Sequence, residues 1–142
     1  MERFARIMDI VAPSDRSRMM ARIRGKSTKP ELIVRRTAHQ LGYRFRLHRK
    51  QLPGTPDLSF PRLRLAVFVN GCFWHRHPNC RYAYTPKSNI DFWTRKFSNN
   101  VQRDIRAKEQ LESMGWRVAV IWECETADSL ALRDTLSTIL AP

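Results

Sequence analysis

Apolar positions change period along the chain, and each change marks an element. Between Thr28 and Gly42 the spacing is helical, with Leu32, Ile33, Ala38 and Leu41 expected on the core side. Thr28 suits the N-cap, Glu31 stands where a capping box needs its acid, Pro30 fits the first turn and Gly42 provides the stop. Tyr43, Phe45 and Leu47 then alternate with Arg44, Arg46 and His48, the period of a half-buried strand. LPGTPDLSF turns at Pro53-Gly54 and re-enters extended structure at about Asp57. LRLAVFVN, from Leu63 to Asn70, and WRVAVIW, from Trp116 to Trp122, read as strands buried on both faces. Between them a long helix is predicted from Asp91 to Met114, with Phe97, Val101, Ile105 and Leu111 inward and Gly115 as its stop. A last helix, from about Asp128 to Leu140, carries Leu132, Leu136 and Ile139. Residues 1–27 lack a clear period and read as a polar, basic arm, so the order is arm, α, β, β, β, α, β, α. That order predicts one α/β sheet with helices packed on it, in a folded domain over residues 28–142.

Composition supports a single domain: 142 residues with 42% hydrophobic content bury an ordinary core. The longest apolar run, LAVFV at 65–69, falls far short of the roughly 20 residues a membrane span needs. The first residues, MERFARIMDIVAP, lack an apolar core segment and a small-residue cleavage site, so a cytoplasmic protein is expected.

Charge changes the picture most. The formal net charge is +13, and it is concentrated: from Arg16 to Lys50 there are 12 Lys and Arg against the single acid Glu31, whereas residues 65–142 carry 10 basic and 8 acidic side chains. Solubility alone does not require this, since an acidic surface serves as well, and no apolar helix face accompanies the charge to suggest a membrane surface. A polyanion, above all nucleic acid, is the expected partner.

The stretch GCFWHRHPNC, Gly71 to Cys80, concentrates the candidate chemistry. Cys72, His77, Cys80 and the distant Cys124 offer three thiolates and an imidazole, a donor set suited to structural, tetrahedral zinc with no open position. Cys72 and Cys124 both follow predicted strands, which brings them together if those strands are neighbours. The alternative is three unrelated thiols; a disulfide framework does not suit an odd cysteine count in a cytosolic chain. Asp57 leads a strand and is the sole acid between Glu31 and Asp91. It is the leading candidate to hold Mg²⁺ at a scissile phosphate, with a turn-capping role as the alternative. Glu31 is explained by its capping position alone. His75, not needed by the zinc set, is suited to relaying a proton or binding a metal-bound water. Phe73-Trp74 and Phe92-Trp93 are adjacent aromatic pairs; one ring of each is expected in the core, leaving the other to meet DNA.

RSRMMARIRGKSTKPEL, LPGTPDLSF, VFVNGCFWH, DFWTRKFSNNVQRD and GWRVAVIWECE, in this order, closely resemble the Vsr family of very-short-patch-repair DNA mismatch endonucleases, over roughly residues 14–125. The resemblance implies a restriction-endonuclease-like αβββαβ core of the PD-(D/E)XK type with a mixed central sheet. It also implies Mg²⁺-dependent nicking of one strand of double-stranded DNA beside the thymine of a T:G mismatch left by deamination of 5-methylcytosine. Carried over by motif, Asp57 is the magnesium-binding acid, Glu31 the helix acid and His75 a catalytic histidine. Cys72, His77, Cys80 and Cys124 are the zinc ligands, and Phe73, Trp74 and Trp93 the intercalating rings. The basic arm would cross the minor groove. A monomer acting at the nucleoid is implied, with mismatch-repair proteins as further partners.

Two departures stand out. Family members carry Thr-His before Gly-Cys where this chain has Val69-Asn70. Val69 still offers a backbone carbonyl to the metal, and Asn70 an amide oxygen to metal or phosphate, but an amide takes no proton from water, so a base role passes to His75 or to a metal-activated water. The spacing HRHPNC leaves both His75 and His77 open as zinc ligand, with His77 preferred as nearer Cys80. A catalytically inactive, zinc-stabilised DNA-binding module and a restriction-type nuclease for matched duplexes are the rival readings.

Overall fold

The computed structural model describes residues 28–142; the arm expected over residues 1–27 lies outside the described residues. Helix α1, Lys29–Gln40, starts as expected: Thr28 Oγ1 accepts the Glu31 N–H at 3.4 Å, and Gly42, at φ 88°, ends the turn. The reciprocal half of the capping box is not made, because the Glu31 carboxylate turns inward toward Arg35 and His48. That rotation moves the buried stripe to Glu31, Val34 and Ala38 and leaves Leu32, expected in the core, 42% exposed.

Four strands follow: β1 at Arg46–Leu47, β2 at Leu58–Phe60, β3 at Leu65–Asn70 and β4 at Arg117–Trp122. The sheet order is β1-β2-β3-β4. β2 is antiparallel to β1, with Leu47 opposite Leu58, and to β3, with Leu58 opposite Val67. β3 and β4 run parallel, from Leu65 opposite Arg117 to Asn70 opposite Trp122. The α/β class and the mixed sheet agree with the expected element order. Parallel neighbours need a long crossover, here through α2, Ile90–Ser113. A third helix, α3, Ser129–Leu140, is capped by Asp128, whose carboxylate accepts the Ala131 N–H at 3.1 Å.

Side chains alternate across the sheet. Leu65, Val67 and Val69 of β3 with Ala119 and Ile121 of β4 pack with Val34, Ala38, Leu132, Leu136 and Leu140 of α1 and α3. Ala66, Phe68 and Val118 face the other way, with Leu52, Trp116 and Leu111 of α2. β3 is thus covered on both faces as expected. β4 is not, and Val120 stands 38% exposed, because β4 forms an open edge of the sheet. β1 is shorter than the alternation suggested; Tyr43 and Phe45 instead pack edge-on to Phe60, and Leu47 is exposed.

In α2 the inward stripe runs Trp93, Phe97, Asn100, Asp104, Ala107, Leu111, one residue every three or four. Ile105 lies off it and is 48% exposed, contrary to expectation. The two polar members of the stripe reach the loop after β3: Asn100 donates to the Trp74 carbonyl at 3.1 Å, and Asp104 meets His75. Among the described residues, no helix is long and apolar enough to cross a membrane.

Candidate active site and metal cluster

The C-terminal end of β3 carries two groups of potential ligands. The first gathers Glu31 from the first turn of α1, His48 just past β1 and Asp57 just before β2; their ligand atoms all lie within 4.8 Å of one another. Strand register places them. Leu47 pairs with Leu58, which sets His48 across from Asp57, and the His48 N–H donates to the Asp57 carbonyl at 3.3 Å. Asp57 Oδ2 accepts the Val69 N–H at 2.7 Å, which pins the carboxylate where β3 outruns β2. Glu31 Oε2 lies 2.9 Å from His48 Nε2, with the Arg35 guanidinium on the same oxygen.

Burial pushes the Asp57 carboxyl up to about 7, against the Val69 N–H, which favours the anion; the neighbouring negative charge of Glu31 adds to the rise. His48, 3.9 Å away, offsets only part of that rise, and Asp57 with Glu31 presents hard oxygen donors suited to Mg²⁺. The geometry is unlike a turn brace, because the carboxylate spans from β2 to β3. Beside this group opens a concavity of about 610 Å³ lined by Arg46, Leu47, His48, Arg49, Lys50 and Gln51, whose cations suit a phosphate backbone.

The second group is Cys72, His77, Cys80 and Cys124, within the same 4.8 Å limit. The parallel pairing of β3 and β4 ends both strands at the same level, at Asn70 and Trp122, so Cys72 and Cys124 emerge side by side. His77 Nδ1 lies 3.6 Å from Cys72 Sγ and 3.5 Å from Cys124 Sγ. A tetrahedral ion with bonds of roughly 2.3 Å to sulfur and 2.0 Å to nitrogen holds such atoms about 3.5 Å apart, so the donor set fits zinc. The His77 ring is fixed by stacking on Trp122, at 4.3 Å and 11°. Burial raises the Cys72 and Cys124 thiols, and close sulfurs add to the effect; a bound cation reverses that balance.

His75 stands in neither group. Its Nδ1 is 2.7 Å from Asp104 Oδ2, so Nε2 is the ring nitrogen turned away from that carboxylate. Asn70 is buried at the end of β3, opposite Trp122. The Arg76 guanidinium donates to the carbonyls of Phe73, Ala83 and Tyr84 and to Thr85, and lies 4.0 Å over the Phe97 ring, tying the loop to α2.

The aromatic expectation needs correction. Phe73 and Trp74 are both buried, and Trp93 with them, packed against one another and Phe97 at centroid distances of 5.1 to 5.8 Å. Adjacent residues sit in a tight turn here, not in extended chain, so both rings of the first pair reach one cluster. The second pair splits as expected, with Trp93 buried and Phe92 54% exposed.

Sequence reasoning misses His48 and Asp104 as site residues. Alternation puts His48 on the polar side of a strand, and its signal is the hairpin register that sets it opposite Asp57. Asp104 falls at the stripe spacing of α2, where an acid among apolar positions invites a partner.

A family model described as DNA mismatch endonuclease Vsr matches residues 8–81. A type II nicking enzyme, V.XorIIP, of Xanthomonas oryzae pv. oryzae is 51% identical over 134 residues, covering 94% of this chain and 98% of that protein. A second, V.NmeAIP of Neisseria meningitidis, is 39% identical over 132 residues, covering 93% and 94%. The DNA mismatch endonuclease Vsr of Escherichia coli (strain K12) is 35% identical over 127 residues, covering 87% and 81%.

Proposed function

The chain belongs to the Vsr family of DNA mismatch endonucleases, and on that footing we propose that it nicks one strand at T:G mismatches arising from 5-methylcytosine deamination, with Mg²⁺ held at Asp57. The observation that carries the reading is the Asp57 carboxylate, partly buried and pinned by the Val69 N–H beside Glu31, with His48 linking it to a concavity lined by Arg46, Arg49 and Lys50.

Asp57 and the Val69 carbonyl would hold the cation, with Glu31 at its flank. When bound, the ion supplies Lewis-acid polarisation of the phosphate and eases deprotonation of the attacking water. Asp104 holds the His75 ring so that Nε2 is available to orient water or pass a proton. Asn70 contributes an amide oxygen near the phosphate and no base. Arg46, Arg49 and Lys50 hold the strand by its backbone, as does the basic arm. Cys72, His77, Cys80 and Cys124 would hold zinc, which fixes the loop that presents His75. The rings of Phe73, Trp74 and Trp93, with Phe92 at their exposed side, form the wedge against the base stack. A ring must leave its cluster to enter DNA, and a weakly paired T:G step offers the lower barrier to that exchange.

The test is nicking of end-labelled T:G and matched C:G duplexes with Mg²⁺ or with EDTA. Nicking confined to T:G and Mg²⁺, and lost in Asp57→Ala with mismatch binding retained, is the expected result. Binding without nicking under Mg²⁺ or Mn²⁺ would show a recognition module instead, and equal cleavage of matched duplexes would show a restriction-type nuclease.

A further inference from the structure

Among the described residues outside the proposed reaction, the buried ring nitrogen of His48 stands between two carboxylates without a hydrogen-bond partner. His48 is 12% exposed, and its Nε2 is buried 2.9 Å from Glu31 Oε2 and 3.9 Å from Asp57 Oδ1. Despite the short distance, Nε2 makes no aligned hydrogen bond among the described residues, because the Glu31 oxygen lies off the direction in which a ring N–H would donate. Leaving such an atom unsatisfied is unfavourable. The backbone adds to this: His48 has φ 46°, in the left-handed region that disfavours a non-glycine residue. Both features persist because the β1–β2 pairing holds His48 across from Asp57.

We infer that His48 is a third protein ligand of the divalent cation at Asp57, adding one imidazole nitrogen to the Asp57 carboxylate and the Val69 carbonyl, with the Glu31 carboxylate at its flank. The inference rests on the placement of that cation at Asp57. A nitrogen donor changes which ion the site prefers. Mg²⁺ favours an oxygen shell and keeps its waters, whereas imidazole suits the later divalent ions, Mn²⁺ among them. Arg35, on the same oxygen of Glu31, removes part of the negative charge from the site, which weakens purely electrostatic binding of Mg²⁺ and leaves donor type to decide selectivity. The site therefore takes Mn²⁺ in preference to Mg²⁺ by more than an all-oxygen ligand set would give.

The probe is Mn²⁺ itself, bound to the zinc-loaded full chain without DNA and followed by pulsed EPR, which detects a directly bonded ¹⁴N. Wild type is expected to show coupling to one imidazole nitrogen. His48→Gln should abolish the coupling and weaken Mn²⁺ about tenfold or more, with little change for Mg²⁺, while His75→Gln should leave the coupling in place. Mn²⁺ bound with no nitrogen coupling in wild type, or with coupling lost in His75→Gln and kept in His48→Gln, would overturn the assignment of His48. Loss of binding in Asp57→Ala separates that failure from failure of the underlying site: Mn²⁺ affinity unchanged in Asp57→Ala would refute the placement of the cation. Because the decisive signal is read in wild type, a variant that fails to fold does not block the test.

Discussion

Replacing Arg76 by alanine should destabilise the protein by about 3 kcal/mol, a figure that follows from what the guanidinium touches. Two short bonds run to the Ala83 and Tyr84 carbonyls, at 2.8 and 2.9 Å, and charge-assisted bonds of this kind contribute roughly 1.5 kcal/mol each at the low end of their range. The cation over Phe97 at 4.0 Å adds about 1 kcal/mol. The longer contacts to Phe73 and Thr85, 3.3 and 3.2 Å, are taken as small. Partial exposure of the group screens part of the total, which lowers the sum to about 3 kcal/mol. Burial also lowers the Arg76 pKa, consistent with a cation drawn out of water and therefore dependent on these acceptors. For a chain of this size the loss corresponds to a fall in Tm of about 10 °C. Arg76→Lys should recover less than half, because one ammonium cannot fork between two carbonyls while covering a ring. Calorimetry of the zinc-loaded protein measures both variants. A fall of less than about 3 °C in Arg76→Ala, or full recovery in Arg76→Lys, would refute the clamp; either would mean that zinc and the ring cluster hold the loop unaided.

Cation binding at Asp57 should depend on pH with a definite sign. Its pKa in the metal-free chain, about 7, lies above the ordinary value of 3.8, so a proton must leave before the carboxylate binds a cation. Apparent Mn²⁺ or Mg²⁺ affinity, followed by calorimetry, should rise up to about tenfold per pH unit below 7 and flatten above it; a flat profile from pH 5 to 8 would contradict the shift. By the same linkage the metal-free fold is favoured while Asp57 stays protonated, and its stability should decline as pH rises from about 4 through about 7, with divalent cation restoring it. Cys80→Ser should weaken zinc at least about 100-fold, beyond what loss of a supporting contact brings, and expose the 71–90 segment to protease while the sheet survives; metal analysis and limited proteolysis read both. Asp104→Asn should lower kcat for nicking by roughly tenfold to a hundredfold with KM little changed, and alter the pH profile, because the His75 ring loses the carboxylate that fixes its tautomer. An unchanged pH profile would show Asp104 to be a surface acid.

Much of the fold was legible because the periods were clean. Five apolar residues without a break in β3, Leu65 to Val69, announce a strand covered on both faces, and Thr28, Gly42, Gly115 and Asp128 mark helix ends by their own hydrogen bonds or backbone angles. The failures share a cause. Hydrophobicity alone puts Leu32 and Ile105 inward, but Glu31 and Asp104 hold the inward stripes through His48 and His75, so each helix is rotated by its polar contacts. β4 carries the same apolar run as β3, and nothing in WRVAVIW says that it lies at an edge; that depends on the order of strands in the sheet. Extended chain would separate Phe73 and Trp74, whereas the tight turn held by the His75 N–H to Gly71 carbonyl bond, 3.1 Å, sends both rings to α2.

The polar residues that rotate the helices are the same ones that build the site, and this gives the molecule its economy. β3 ends with its carbonyl and amide groups freed from β2 at Val69, which is why Asp57 can be pinned there, and it runs on beside β4 to bring Cys72 to Cys124. One strand end therefore bears on both ligand groups, and six residues of GCFWHRHPNC leave it in three directions. Cys72, His77 and Cys80 turn toward β4, Phe73 and Trp74 toward α2, and His75 to Asp104. A substitution that displaces the end of β3, such as one at Val69 that disturbs the Asp57 contact, must then be felt at the thiolate cluster as well. Purely local changes in Lys50 or Arg49 should leave that cluster alone and weaken only the hold on the phosphate backbone.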